Sequence, residues 1–221
     1  MYNGPGCHVI TYPVGQGTVL NVLAVITDPK AWPHGTQITA RGTRQEAEAA
    51  FVGWHPTVRA IVSLFPDDME KWALFDMQES PASSYSRRGV CVAGDAAHAS
   101  GPHLGAGAAF GIEDALALSS LLTAVDKEAQ EGGGGDLSRI CCEALYVYDK
   151  VRQERTKWLV GATREACDLF HWRYPGCGSD PKKFGEEITL RLHKVWEYDL
   201  DEMVHDALSQ FATRCKGSSA S

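Results

Sequence analysis

Concentrated positive charge is missing from this chain of 221 residues. Its 21 lysines and arginines face 28 aspartates and glutamates, for a net charge of −7. That balance excludes the electrostatic footprint of a nucleic-acid or anionic-membrane surface, and neither partner is expected. Metal-ligand spacing is missing too. The seven cysteines include no Cys-x-x-Cys pair, only Cys141 and Cys142 side by side. Such a set reads as reduced, mostly buried thiols in a cytoplasmic protein rather than a disulfide framework or a zinc site, and no metal is expected. The segment Met1-Tyr2-Asn3-Gly4-Pro5-Gly6 lacks the cationic start and apolar core of a secretory signal. No bilayer-spanning run is expected either, because Glu113 and Asp114 interrupt the best candidate. No internal repeat is visible. A hydrophobic content of 44% and a charged content of 22% suit a soluble globular protein, long enough for one domain or two small ones.

Against those absences stands a clear order of elements. Val9 to Thr27 reads as a β-hairpin turning at Gly15-Gln16-Gly17. Ala47, Ala50 and Phe51 have helical spacing within Arg44 to Trp54, and a second short helix follows Pro56, carrying Val58, Ile61, Val62 and Phe65. Trp72 to Asp76 reads as a strand and Ser80 to Arg88 as a polar loop. Val90 to Ala93, bounded by glycines, predicts a strand covered on both faces. The stretch from Gly107 to Val125 is apolar nearly all round, which predicts a central helix. Gly132 to Gly135 reads as a surface turn. A long helix is predicted from Leu137 to about Trp172, ended by Tyr174-Pro175-Gly176, and a last one from Lys183 to Phe211, with a fraying Ser-rich end.

The most informative run is Gly94-Asp95-Ala96-Ala97-His98-Ala99-Ser100-Gly101-Pro102-His103-Leu104, continued by Gly105-Ala106-Gly107-Ala108. It places an acid after a strand, then a proline turn, then a small-residue helix start. An ionised carboxylate only accepts hydrogen bonds, so Asp95 suits a polyhydroxylated ligand chain such as ribitol. Ligands of open α/β sheets sit beyond the carboxyl ends of strands, where Asp95 is expected. Leu104-Gly105-Ala106-Gly107-Ala108 lets bare backbone approach a flat ring, and a helix beginning near Gly107 points unpaired amides at it. Taken piece by piece, each feature is equally what tight packing alone would need. The Gly105-x-Gly107-x-x-x-Gly111 spacing is not a dinucleotide fingerprint, since its glycines do not directly follow the strand and the third comes one residue late. His98 and His103 beside Asp95 do not make a metal site; His98 is expected to turn into the packing around the loop.

In its assembled order this run resembles the second flavin-contacting motif of the FAD-dependent aromatic-ring monooxygenases, the salicylate-hydroxylase-like family. The likeness extends to His8-Val9-Ile10-Thr11-Tyr12-Pro13 with Leu20-Asn21-Val22, to Phe51-Val52-Gly53-Trp54-His55-Pro56, and to Lys71-Trp72-Ala73-Leu74-Phe75-Asp76. It continues through Tyr148, Arg152 and Arg155, although Glu154 stands where a proline is commoner, and through Trp196-Glu197-Tyr198-Asp199, similar to the tail of fungal members. The resemblance covers nearly the whole chain and corresponds to the C-terminal half of such an enzyme. The family's first motif, Gly-x-Gly-x-x-Gly after a first strand, has no counterpart here, nor does its intermediate arginine near the flavin.

The resemblance implies an α/β fold class (an α+β fragment): an incomplete FAD-binding monooxygenase fold with part of the substrate β-sheet and a helical C-terminal region. It implies residues 1–78 in the substrate sheet and return helices, 79–172 in the FAD-binding domain with its long helix, and 173–221 in a helical tail. It implies FAD as cofactor, NAD(P)H as reductant and a small phenolic or polyketide-type aromatic substrate, with a role in secondary metabolism. Gly94 and Asp95 are implied at the ribityl and phosphate side, and Pro102, Leu104, Gly105, Ala106, Gly107 and Ala108 at the isoalloxazine edge. A helix N-terminus there stabilises the anionic reduced ring by a few tenths to about 2 kcal/mol. His8 and Tyr12 are the catalytic candidates, as hydrogen-bond partners of a phenolate, the alternative being that they are ordinary strand residues. With half the cofactor site lacking, the strand at Val90 would lie at an open edge and the helix after Gly107 would be bare on one side, which favours association with a missing N-terminal half or self-association. The competing expectation is an inactive remnant, or one half of a split enzyme, acting as a partner-binding protein.

Overall fold

A computed structural model describes residues 1–33, 35–131 and 136–218. The chain forms two compact units. The first joins Met1–Leu74 to Glu165–Ile188, and the second joins Phe75–Arg164 to Thr189–Ser221. The sequence suggests three consecutive stretches instead, because a helix that passes from one unit into the next leaves no mark in composition.

In the first unit, β1 (Tyr2–Gly4), β2 (Cys7–Val14) and β3 (Val19–Ile26) form an antiparallel sheet in the order β1-β2-β3. The turn falls at Gly15–Gly17, as the glycines predict. Register pairs Val9 with Ala24 and Thr11 with Val22, so Cys7, Val9, Val22 and Ala24 share one face. That face packs on Ala47, Phe51, Val58 and Val62. β4 (Thr39–Thr43) leads into α1 (Arg44–Ala50). The helix starts where it does because Thr43 and Glu46 form a capping box: the Thr43 hydroxyl accepts the Glu46 amide at 3.2 Å, and the Glu46 carboxylate accepts the Thr43 amide at 3.0 Å. α2 (Pro56–Val62) begins on a proline at its first position, where no amide partner is needed.

β5 (Asp68–Trp72) pairs antiparallel with β4. The strand expected over Trp72 to Asp76 therefore lies four residues earlier. Its pairing is set by a partner up to 33 positions away, Thr39 opposite Trp72, which local pattern does not reveal.

The second unit contains β6 (Ser86–Arg87) and β7 (Val90–Cys91), a two-residue antiparallel pair. The buried strand expected from Val90 to Ala93 is thus short, and Val90 is 68% exposed. No neighbouring strand covers it among the described residues, whose sheets are all antiparallel. α3 (Asp95–His98) and a single 3-10 turn at Pro102–Leu104 precede α4 (Gly107–Glu131).

α4 begins at the predicted residue but is not buried all round. Ala117, Leu121 and Val125 enter the core, while Ile112 is 70% exposed and Leu116 and Leu122 also face outward. By length and composition alone, Gly107–Gln130 would suffice to cross a membrane, so Glu113 and Asp114 do not disqualify it as the sequence reading held. Their charges are met inside the fold, as described below.

α5 (Leu137–Phe170) presents Ile140, Ala144, Val147 and Tyr148 to the same core. The expected last helix is two: α6 (Pro181–Trp196) and α7 (Leu200–Ser218). Asp199 divides them by accepting the Glu202 amide at 2.8 Å, an N-cap that restarts the helix. Met203, Ala207, Phe211 and Cys215, four residues apart, form the ridge of α7 in this core. The turn expected at Gly132 to Gly135 and the last three residues of the Ser-rich end lie outside the described residues.

Candidate functional site

The segment from Val92 to Ala108 is built by local backbone chemistry. The Tyr148 hydroxyl donates to the Val92 carbonyl at 3.0 Å as the chain leaves β7. Burial, followed by the nearby Asp114 charge, pushes that phenol above its ordinary pKa, so it remains an O–H donor. Gly94 then adopts φ +58 and ψ −142, a conformation nearly closed to residues with a Cβ. Its carbonyl accepts the amides of Ala97 at 2.9 Å and His98 at 3.0 Å, which starts α3. Asp95, the first residue of α3, is exposed.

After Ala99 the chain turns at Pro102–Leu104, and Gly105 takes the left-handed conformation with φ +63, its amide donating to the Pro102 carbonyl at 3.0 Å. A Cβ at Gly105 would meet nothing within 4 Å, so the space above it is open. Ala106 is buried, and its carbonyl accepts the Phe110 amide at 3.1 Å. Ala106 therefore occupies the N-cap position of α4 without a side-chain oxygen, leaving the first-turn amides of Gly107, Ala108 and Ala109 uncapped by it. Leu104 is buried beneath the turn, whereas Pro102 and Ala108 are exposed.

Beneath this segment lies a set of buried charges. Asp114 has 0% exposure and three donors on one carboxylate. Its Oδ2 receives the Gly94 amide at 2.8 Å and His98 Nε2 at 2.6 Å, and its Oδ1 receives Arg152 Nε at 2.7 Å. Burial by itself raises the Asp114 pKa, but the bonds from His98, Gly94 and Arg152 outweigh it and hold the carboxyl below its usual range. Glu113 is bound by both arms of Arg155 at 2.8 and 2.7 Å, and Arg152 adds a third contact at 2.8 Å. The Arg155 guanidinium also lies 3.5 Å from the Tyr198 ring centroid and 4.4 Å from that of Phe110. It donates to the carbonyls of Lys194 and Val195 at the end of α6. Two carboxylates and two guanidiniums thus balance inside the unit. On the other side of the segment, the Met77 amide donates to the Ala99 carbonyl at 3.0 Å, and Asp76, next to it, is held by Arg164 at 2.7 Å.

The sequence reading puts Gly94, Asp95, Pro102 and Leu104 to Ala108 in one segment. In the structure Gly94 lies against α4 at Gly111 and Asp114. Asp95, Pro102, Gly105 and Ala108 are exposed, and Leu104 and Ala106 are buried. The sequence reading does not foresee the partnership of Asp114 with His98, or of Glu113 and Asp114 with two arginines. The available signal was physical: an acid pair inside an apolar helix must find cations, and Arg152 and Arg155, three apart on the next helix, supply them. His98 does turn into the packing.

The catalytic candidates fare differently. His8 is 0% exposed, with Nδ1 2.8 Å from Nε2 of His171, whose Nδ1 lies 3.0 Å from the Thr27 hydroxyl. The expectation that His8 faces a substrate is corrected on that ground, because the end of α5 covers its face of β2. Tyr12, further along the strand, is 49% exposed and stands apart from His8's polar contacts.

Comparison with known proteins accords with this geometry. The family profile described as an FAD binding domain matches residues 25–134. The chain is 41% identical over 220 residues to an FAD-dependent monooxygenase of Aspergillus niger, a match covering 98% of this chain and 49% of that protein. It is 43% identical over 222 residues to a salicylate hydroxylase of Sarocladium schorii, covering 97% and 46% respectively. A solved salicylate hydroxylase in its substrate complex superimposes with a TM-score of 0.81 at 31% identity, over 94% of this chain and 48% of that one. The chain therefore spans about half the length of the relatives it matches. Likeness that runs along almost every element, in sequence and in backbone course, leaves one conclusion: this chain belongs to the salicylate-hydroxylase-like family of FAD-dependent monooxygenases.

Proposed function

We propose that the whole protein carrying this chain is an FAD-dependent monooxygenase that hydroxylates a small aromatic ring of the phenolic or polyketide type, with NAD(P)H as reductant, in secondary metabolism. The observation that carries the reading is the conjunction along Gly94 to Ala108: an exposed carboxylate at Asp95, open space over a left-handed Gly105, and a helix start at Gly107 preceded by an alanine. FAD, when bound, supplies the redox and oxygen-activating chemistry. This chain's residues hold and orient it. Asp95 accepts hydrogen bonds from the ribityl hydroxyls. Gly94 and Gly105 keep Cβ atoms away from the approach. Pro102, Leu104 and Ala106 shape the turn, and the amides of Gly107 and Ala108, at a helix N-terminus whose dipole favours negative charge, would hold the ring. The fungal relatives' names support the monooxygenase assignment, and the salicylate hydroxylase match supports an aromatic substrate.

The test is FAD retention by the full-length gene product. Asp95→Ala is expected to weaken FAD binding by about tenfold or more, the worth of a hydrogen bond to a charged group. Unchanged flavin content and affinity in that variant would remove Asp95 from the site, and a colourless full-length product that binds no FAD would end the reading.

A further inference from the structure

Asp95 belongs to a helix of only four residues, too short to be stable by itself. Its two ends are nevertheless held by the same atom. Asp114 Oδ2 accepts the amide of Gly94, immediately before Asp95, and Nε2 of His98, the last residue of α3. We propose that Asp114 is the positioning residue of this segment: one buried carboxylate clamps both ends of α3 and so sets the direction in which Asp95 is presented. The inference rests on the flavin reading above for what Asp95 meets, but not for the clamp itself.

Three features assign the clamp to Asp114. First, at 0% exposure it touches no ligand directly, so its influence must pass through Gly94 and His98. Second, Gly94 at φ +58 and ψ −142 lies outside the broad basins of ordinary residues, and the bond to Asp114 fixes where its amide points. The same glycine's carbonyl caps the first turn of α3, so a rotated Gly94 would unravel the helix that begins with Asp95. Third, a neutral isostere cannot replace the carboxylate. Asn offers one acceptor and one donor group, but both oxygens of Asp114 already receive donors, from Gly94 and His98 on one and Arg152 on the other. Removing the charge also leaves Arg152 and Arg155 facing Glu113 alone. Arg152 is itself fully buried and cannot shed its proton.

A merely structural ion pair and a positioning clamp differ in what they couple to. The experiment uses the full-length gene product and measures FAD affinity in Asp95→Asn, Asp114→Asn and the double variant, together with residue-resolved amide hydrogen exchange. Each single variant is expected to weaken FAD by about tenfold, and the double variant by no more than the worse single, because both act on one contact. In the unsubstituted protein the Gly94 amide is expected to be protected. That protection disappears in Asp114→Asn while Leu121 and Val147 stay protected. Losses that multiply to about a hundredfold in the double variant would overturn the clamp, as would a Gly94 amide that exchanges freely in the unsubstituted protein. An unaltered FAD affinity in Asp95→Asn would instead remove Asp95 from the flavin site, and the exchange result would still decide the clamp. Should Asp114→Asn not fold, acidification of the unsubstituted protein decides: Gly94 protection falls before that of Leu121 if the clamp holds, and together with it if it does not.

Discussion

The two units solve the problem of burial in different ways. In the first, the fully buried side chains are largely apolar: Val9 from the sheet and Phe51, Val58 and Val62 from the two short helices. Its deepest polar contact, His8 to His171, joins two imidazoles, groups that can be buried without charge. In the second, Asp114 and Arg152 are as deeply buried as any leucine, and a guanidinium stays charged at any depth. An apolar core is tolerant of small shifts in direction. A buried ion network is not, since every donor must keep its acceptor or leave a bare charge in low dielectric. The first unit therefore holds its elements together by area, and the second orients a particular segment, the one that carries Asp95.

Substitutions can break or sharpen that contrast. The largest effects are expected from Asp114→Asn and Phe51→Ala, one per unit, at roughly 3–5 kcal/mol of unfolding free energy each. Denaturant titration measures both, and the two are told apart by pH. Because the folded-state pKa of Asp114 is depressed, its contribution is present above the unfolded value of about 4 and is lost as pH falls through the folded one. Asp114→Asn should therefore flatten the acid limb of the stability profile, whereas Phe51→Ala should lower the whole curve without reshaping it. An acid limb unchanged in Asp114→Asn would argue against the network as the charge-dependent element.

Gly94→Ala comes next, at about 1–3 kcal/mol, from backbone strain at its φ and ψ. Its mark is a loss of FAD affinity larger than its loss of stability predicts. Thr43→Ala, which removes one arm of the capping box in the first unit, is expected to cost about 1 kcal/mol, read from the thermal midpoint and without effect on flavin. The smallest effect belongs to Ile112→Gln on the exposed face of α4: within about 0.5 kcal/mol in the chain of residues 1–221. A larger loss there would mean that the face is covered after all.

Much of the fold is legible before any coordinates. The hairpin turn at Gly15–Gly17, the starts of α1, α2 and α4 and the extent of α5 follow from glycines, a proline and helical spacing, all signals that act within a turn or two. The errors have a common origin. β4 with β5, and β6 with β7, are short strands defined by partners elsewhere in the chain, and Asp199 interrupts a helix whose apolar spacing continues past it. The apolar circumference of α4 gave no hint that Ile112 would face outward while Glu113, its neighbour, would be buried.

What the residues determined alone is the local path from Gly94 to Ala108, together with the kinship of the chain. A left-handed glycine, a proline turn and a run of small residues opening a helix are imposed by backbone sterics, which reach only a few positions. Only the tertiary structure decided which carboxylate is exposed and which is enclosed. Asp95 stands at the surface, while Asp114 is met by partners 16 and 38 positions away and Glu113 by one 42 away. The reason is physical: the state of a charge depends on what surrounds it in space, and distance along the chain does not measure that.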